Sequence, residues 1–113
     1  AEGQVHGGMS MGLGYALTEF LKFDPKTGRM LNDNLLDYKL MTAIDTPQLH
    51  AAFVETNDPT GPYGNKSLGE PPTIPVAPAL RNALLNATGV AVNSNPLNPE
   101  KLFFAFTEAG LIQ

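Results

Sequence analysis

Cysteine is absent from this sequence of 113 residues. The chain can therefore supply no disulfide, no thiolate nucleophile and no cysteine ligand to zinc or to an iron–sulfur cluster, and any redox centre must be held elsewhere. Basic residues are also scarce, because seven lysines and arginines stand against eleven acidic residues and leave a net charge of −4. Since there is no basic cluster, neither nucleic acid nor an anionic membrane surface is expected as a partner.

Long apolar runs are missing as well. No stretch of about 18 apolar residues could span a bilayer, and no charged segment followed by an apolar one marks a signal peptide, so the expected location is cytoplasmic. The glycosylation sequons at Asn65 and Asn86 then have no role. The length suits one compact domain over residues 1–113. Because patterned sequence begins at Ala1 without an initiator methionine, we expect this domain to be a segment of a larger protein.

Proline and glycine, by contrast, are abundant. Ten prolines and eleven glycines predict short elements joined by many turns. The expected fold class is α+β, a small single domain of about three helices with a few short strands. Apolar residues at helical spacing predict a first helix over 4–21. The second is predicted over 76–86, between a cap at Thr73 and a stop at Gly89, and the third over 99–109.

Two regions favour strands. Residues 24–28 have the composition of a turn between two short apolar segments, which predicts a β-hairpin. Residues 49–55 are rich in apolar and β-branched side chains. They are predicted to form a buried strand that leads the chain toward residue 70.

Three glycines of the first predicted helix, Gly3, Gly7 and Gly14, fall on a narrow stripe beside its apolar face. Glycine inside a helix costs about 0.5–1 kcal/mol relative to alanine, so the stripe needs an offsetting contact with another backbone or with a ligand. The pattern leaves both open. Gln4, beside the stripe, has amide donors and a carbonyl acceptor that could bind the edge of a flat heterocycle, or could only make local bonds at the helix start.

Glu70 is the strongest candidate for chemistry. Pro71 and Pro72 fix their own φ angles and restrain the residue before them, while Gly69 leaves space for a group to approach the backbone. Burial disfavours an ionised carboxylate and the N-terminus of the following helix favours it; a carboxylate held between these opposing effects suits a general base. The alternative is a structural carboxylate that caps the helix or pairs with Lys66.

Other possible motifs are weaker. His6 and His50 lack partners at the spacing of a zinc site, so no metal ligand is expected in this chain. Residues 12–14 lack the third glycine of a dinucleotide fingerprint, and residues 64–67 lack the upstream spacing of a phosphate loop. The acidic residues within 33–37 could flank a cation but are more simply solvated.

Four segments, taken in order, resemble the xanthine dehydrogenase family of molybdenum hydroxylases. They are GQVHGG at 3–8, GLG at 12–14, LDYK at 36–39 and GEPPTI at 69–74. The resemblance covers nearly the whole chain and corresponds to the C-terminal part of the large molybdopterin-binding subunit, with Pro99 opening the last helix. It implies an oxidoreductase that hydroxylates an electron-poor carbon of an N-heterocycle or an aldehyde.

The resemblance also implies roles for individual residues. In that family the glutamate of Gly-Glu-Pro-Pro is the active-site base, which places this role on Glu70, and Gln4, Gly3 and Gly69 are implied to lie at the cofactor. The implied cofactor is molybdenum-molybdopterin in its cytosine dinucleotide form, with FAD and 2Fe-2S clusters on partner domains or subunits. The implied partners are the remaining molybdopterin-binding domains, iron–sulfur and flavin subunits, and a small-molecule substrate.

The family's other cofactor-contacting segments lie outside this sequence, so we expect the isolated chain to be inactive. The residues that select the substrate also lie outside it. The alternative from a different functional class is a non-catalytic packing or subunit-assembly domain. In that case the glycine stripe and the Gly-Glu-Pro-Pro loop would serve contacts between subunits.

Overall fold

A computed structural model describes residues 1–112 of the chain and gives three α-helices. Helix α1 is Glu2–Leu17, α2 is Val76–Thr88 and α3 is Pro99–Glu108, and a single 3-10 turn, Pro62–Gly64, precedes α2. Within the described residues, strand pairing is limited to one antiparallel bridge between Phe23 and Met30. The prediction of a small domain with three helices is confirmed, and its strand content is reduced to this bridge.

Helix α1 begins earlier and ends earlier than the predicted 4–21. It ends at Leu17 because Thr18, with φ of −124°, leaves the helical conformation. Two of the last carbonyl oxygens, which a helix cannot pair internally, receive hydrogen bonds from a distant loop. Asn95 Nδ2 donates to Tyr15 O over 2.9 Å, and Leu97 N donates to Ala16 O over 2.6 Å.

The segment after α1 folds back as a hairpin at the predicted turn. The Asp24 carboxylate accepts hydrogen bonds from the backbone N–H groups of Lys26 and Thr27, and Gly28 adopts the positive φ of 70° that the turn requires. Asn32 closes the base of the hairpin. Its side chain is 3% exposed, accepts from Lys22 N at 2.8 Å and donates to Phe20 O at 2.7 Å.

Helix α2 begins after Pro75, which is its N-cap and offers no side-chain hydrogen bond. The predicted cap at Thr73 is therefore wrong. Prolines at the start of the helix lack N–H groups, so fewer donors need a cap there. The predicted stop at Gly89 is confirmed, since Gly89 has φ of 74° and its N–H donates to Leu85 O.

Helix α3 is stabilised by its own first turn. Asn98 is the N-cap, and its side chain accepts a hydrogen bond from Lys101 N at 2.9 Å. Pro99 follows at the first helical position, where a missing N–H costs nothing. The prediction of a last helix over 99–109 agrees with the observed Pro99–Glu108 to one residue.

The prediction of a buried strand over 49–55 is wrong for this chain. Val54 is 86% exposed and Phe53 is 51% exposed, and the segment pairs with no other strand in the described residues. The segment is apolar in composition, as the prediction assumed. A strand, however, needs a neighbour to pair with, and residues 1–112 do not provide one.

The chain buries little apolar surface. The buried apolar side chains are Leu13, Ala16, Val92 and Leu97, where α1 meets the 92–97 loop, and α1 also packs on α2. The radius of gyration is 17.7 Å, against about 13 Å for a compact domain of this length. Large apolar side chains are accordingly exposed, among them Leu35, Leu36, Ile44 and Ile74. None of the helices in the described part of the chain is long and apolar enough to cross a membrane.

Candidate functional site

The residues around Glu70 form a tight turn. Thr73 N donates to Glu70 O over 2.9 Å, so the two prolines lie at the centre of a hydrogen-bonded turn. This geometry supports the prediction of a stiff backbone behind the carboxylate. The expected burial is not found within this chain, because Glu70 is exposed.

The Glu70 turn packs directly on α1, at positions where α1 has glycine. A Cβ on Gly8 would lie 2.8 Å from Pro72 Cβ and 3.1 Å from Thr73 Oγ1. A Cβ on Gly12 would lie 2.5 Å from Val76 Cβ and 3.1 Å from Thr73 O. Both glycines are buried. We call this contact, formed by Gly8 and Gly12 against Pro72, Thr73 and Val76, the glycine seam.

The glycines of the predicted stripe behave differently. A Cβ on Gly3 or Gly7 would meet no other atom of the described chain within 4 Å, whereas one on Gly14 would meet the side chain of Glu19. No described backbone packs against Gly3 or Gly7. Gly69, next to Glu70, is open in the same way.

The seam brings the two predicted motifs to the same part of the molecule. Gln4 is exposed and lies one helical turn, about 6 Å along the axis, before Gly8. Glu70 lies two residues before Pro72, which Gly8 contacts. The segments that carry Gln4 and Glu70 therefore meet at one contact, although the two residues are 66 positions apart in sequence.

Two cavities are lined by residues that come shortly before and shortly after Glu70 in the sequence. A cavity of about 710 Å³ is lined by Ala1 and by the loop residues 53–57 and 63–68. An apolar cavity of about 530 Å³ lies between α1, α2 and residues 47–49, and Pro72 contributes to its wall. Glu70 lies on the short connection between Leu68 of the first cavity and Pro72 of the second, and lines neither within the described chain.

Two buried polar atoms near the site have no hydrogen-bond partner within residues 1–112. They are Thr73 Oγ1, in the glycine seam, and His6 Nε2, in the first half of α1. Buried polar atoms are normally paired, so each of these has capacity for a further donor or acceptor. No three His, Asp or Glu side chains of the described chain converge as a metal site would require.

The side chains whose pKa is shifted lie away from the glycine seam and from Glu70. Hydrogen bonds from the Lys26 and Thr27 backbones lower the pKa of Asp24, those from Thr42 lower the pKa of Asp45, and those from Thr60 lower the pKa of Asp58. The hydrogen bonds accepted by each of these three carboxylates stabilise a turn on the surface. The hydrogen bond from Tyr38 Oη to Glu19 raises the pKa of Tyr38 and joins the 36–39 segment to the residues that follow α1.

Comparison with known proteins agrees with the family resemblance that the four sequence segments indicate. A family model described as a molybdopterin cofactor-binding domain matches residues 1–47. The putative xanthine dehydrogenase molybdenum-binding subunit of Escherichia coli is 61% identical over 99% of this chain and 15% of its own length. The chain belongs to the xanthine dehydrogenase family.

Other members of the family extend the likeness. An aldehyde oxidoreductase molybdenum-binding subunit of Escherichia coli is 36% identical over 90% of this chain and 14% of its own length. Quinoline 2-oxidoreductase from Pseudomonas putida 86 superposes with a TM-score of 0.84 at 31% identity, over 95% of this chain and 14% of that one. The chain thus spans about 15% of the length of the xanthine dehydrogenase relative that it matches.

Sequence reasoning missed the glycine seam. The helical wheel that singled out Gly3, Gly7 and Gly14 also places Gly8 and Gly12 four residues apart, on the edge of the apolar arc. That placement was the available signal, because a pair of glycines at the edge of a buried arc indicates that another backbone approaches there.

Proposed function

We propose that this chain is the part of a molybdenum-dependent hydroxylase that carries the active-site base, Glu70. The substrate class is an N-heterocycle or an aldehyde with an electron-poor carbon. Relatives of the family include a xanthine dehydrogenase, an aldehyde oxidoreductase and a quinoline 2-oxidoreductase. The isolated chain is expected to be inactive, since it spans only about 15% of the xanthine dehydrogenase relative.

The observation that carries this proposal is the glycine seam. It places the Gln4 segment, within the region that matches a molybdopterin cofactor-binding domain, beside the turn that presents Glu70. Molybdenum-molybdopterin, when bound, would supply the Lewis acidity and the two-electron oxidation that side chains lack.

The exposure of three predicted residues supports the proposal of a flat cofactor. Gln4 is exposed and its amide offers two donors and an acceptor to a heterocycle edge. Gly3 and Gly69 are uncovered, with no other atom of the described chain within 4 Å of where a Cβ would be. Each of these two backbone positions is therefore open to close approach by a ring. The cytosine dinucleotide form of the cofactor is part of the same proposal.

Glu70 is proposed to accept a proton during hydroxylation. Converting a C–H bond to C–OH with water as the oxygen source leaves two protons and two electrons. The Glu70 carboxylate takes one proton, and its turn holds it in a fixed orientation, so little entropy is lost in the reaction. The electrons need an acceptor, and this chain has no cysteine to bind a cluster. We therefore propose 2Fe-2S and FAD groups on partner domains or subunits, together with the remaining molybdopterin-binding domains.

The decisive experiment is Glu70→Gln in the complete enzyme that contains this chain. Loss of the base should lower kcat by about 10²-fold or more. Molybdenum content and thermal stability should stay at wild-type values, because Gln has nearly the same shape and the Glu70 side chain is exposed within this chain. Retained turnover would reject the role of Glu70.

One observation favours a second candidate, a non-catalytic packing or assembly domain. Glu70 and many apolar side chains are exposed in this chain, and exposed apolar patches often mark protein contacts. The same variant separates the two candidates. If Glu70 serves assembly, Glu70→Gln should weaken subunit association, measured by sedimentation, and leave kcat per assembled enzyme unchanged.

A further inference from the structure

We propose that Gly8 and Gly12 are positioning residues for Glu70: their missing side chains let the Glu70 turn sit directly on α1, and this contact sets where the carboxylate lies. The inference rests on the proposed function of Glu70. It concerns two residues that touch the turn and not the reacting atoms.

Gly8 acts on the turn itself. The nearest atom to a Cβ at this position is Pro72 Cβ, at 2.8 Å, which is well inside van der Waals contact. Pro72 Cβ belongs to a rigid ring and cannot rotate away as the end of a long side chain could. An alanine at position 8 must therefore displace the turn from α1.

Gly12 acts one helical turn further along, at the start of α2. A Cβ there would lie 2.5 Å from Val76 Cβ and 2.7 Å from Val76 Cγ2. Val76 is the first residue of α2. An alanine at position 12 would therefore push the N-terminus of α2 outward, and the Glu70 turn, three residues before Val76 at Thr73, would move with it.

The turn is built to transmit such a displacement. Its two prolines restrict backbone torsions, and the Thr73 N–H bond to Glu70 O closes it over 2.9 Å. A shift at Pro72 thus reaches Glu70 instead of being absorbed between them. Misplacement of a reacting group by about 1 Å can cost 10²-fold in rate.

The main test is Gly8→Ala in the complete, cofactor-loaded enzyme. We expect kcat to fall by about 10- to 100-fold, while KM and molybdenum content per subunit remain unchanged. The decline of kcat at low pH should persist, since the base is still present, whereas Glu70→Gln should abolish it. A crystal structure of the variant should show Pro72 displaced from α1.

A size exchange across the seam gives a second, independent test. Gly12→Ala should lower kcat, and the double variant Gly12→Ala/Val76→Gly, which removes the opposing Cβ and Cγ atoms, should restore at least half of the loss. This arm remains informative if Gly8→Ala fails to fold. Ser10→Ala is the matched control, because position 10 lies on the same helix between the two glycines and outside the seam, and it should leave kcat at the wild-type value.

Three results would overturn the inference. One is an unchanged kcat in Gly8→Ala together with a displaced Pro72. Another is loss of molybdenum or a raised KM with unchanged kcat, which would make Gly8 a binding residue. The third is no recovery in the size-exchange variant. Full activity in Glu70→Gln would instead reject the proposed base, and the structural displacement caused by Gly8→Ala would still be observed.

Discussion

Two regions of this chain hold their shape in different ways. Helix α1, the Glu70 turn, α2 and the 92–97 loop contact one another, and they contain the buried apolar side chains. Residues 33–61 are held mainly by short local turns and expose Leu35, Leu36 and Ile44. The first region is fixed by contacts within this chain. The second has apolar surface that needs a cover, which fits a chain that spans about 15% of the xanthine dehydrogenase relative.

Among the substitutions that test the difference between these two regions, Leu13→Ala should cause the largest loss of stability. Leu13 is 8% exposed and also borders the apolar cavity, so its removal should cost about 2–3 kcal/mol, the lower part of the usual range. Hydrogen exchange of α1 in the complete subunit measures the loss. The Met11 side chain is 61% exposed in this chain. An equal loss of stability for Met11→Ala would contradict the prediction that the buried side of α1 contributes more to stability than the exposed side.

Asn32→Ala tests whether the hairpin belongs to the self-supporting region. The substitution removes two hydrogen bonds and leaves Phe20 O and Lys22 N without their side-chain partner, at a cost of about 1–3 kcal/mol. Faster hydrogen exchange over residues 20–32 would report it. The comparison variant is Asn34→Ala on the exposed surface; if both variants behave alike, the buried Asn32 bridge is not what closes the hairpin.

Asn98→Ala tests how far α3 depends on its own cap. Loss of the side-chain bond to Lys101 N should cost about 1 kcal/mol. Asn98→Ser, which keeps an acceptor oxygen, should recover most of it. Peptide-level exchange over 99–108 is the measurement, and an Asn98→Ala variant with wild-type protection would show that contacts elsewhere, and not the cap, hold this helix.

The smallest expected effect is the pH dependence of the Asp24 turn. Hydrogen bonds from the Lys26 and Thr27 backbones lower the pKa of Asp24 in the folded chain. The folded state therefore favours the ionised carboxylate. Its stabilising contribution is present above the ordinary aspartate pKa, and it is lost as the pH falls through the lowered value.

The measurement is the difference in exchange of residues 24–28 between wild type and Asp24→Asn. This difference should be present at neutral pH and should shrink in acid. A difference that is constant with pH would mean that charge does not contribute to the turn.

Sequence patterns predicted the parts of the fold that depend on local chemistry. The Asp24 turn, the stop at Gly89 and the helix that Pro99 opens all follow from residues close in sequence, and all are present. The failures involve distant partners. Residues 49–55 have strand composition but lack a neighbouring strand, and Thr73 faces α1 instead of capping α2.

The prediction of the candidate site also failed where it depended on partners distant in sequence. Sequence motifs named Glu70 and Gln4, but they could not show that the segments carrying them meet where Gly8 packs on Pro72. That contact joins residues more than 60 positions apart, and only the packing of α1 on the turn reveals it. The roles of Glu70, Gln4, Gly3 and Gly69 stay predictions for the experiments above.

The hydrogen bonds at the end of α1 also constrain the order in which parts of this chain can fold. Asn95, which donates to Tyr15 O, lies 80 residues later in the sequence. On a ribosome, α1 is synthesised about 80 residues before this donor, so two carbonyl groups of its last turn lack these partners until the 92–97 loop has been made. Of the three helices described here, α1 is therefore synthesised first but acquires its last hydrogen bonds late, and a stalled nascent chain that ends before residue 95 should leave its last turn accessible to proteases.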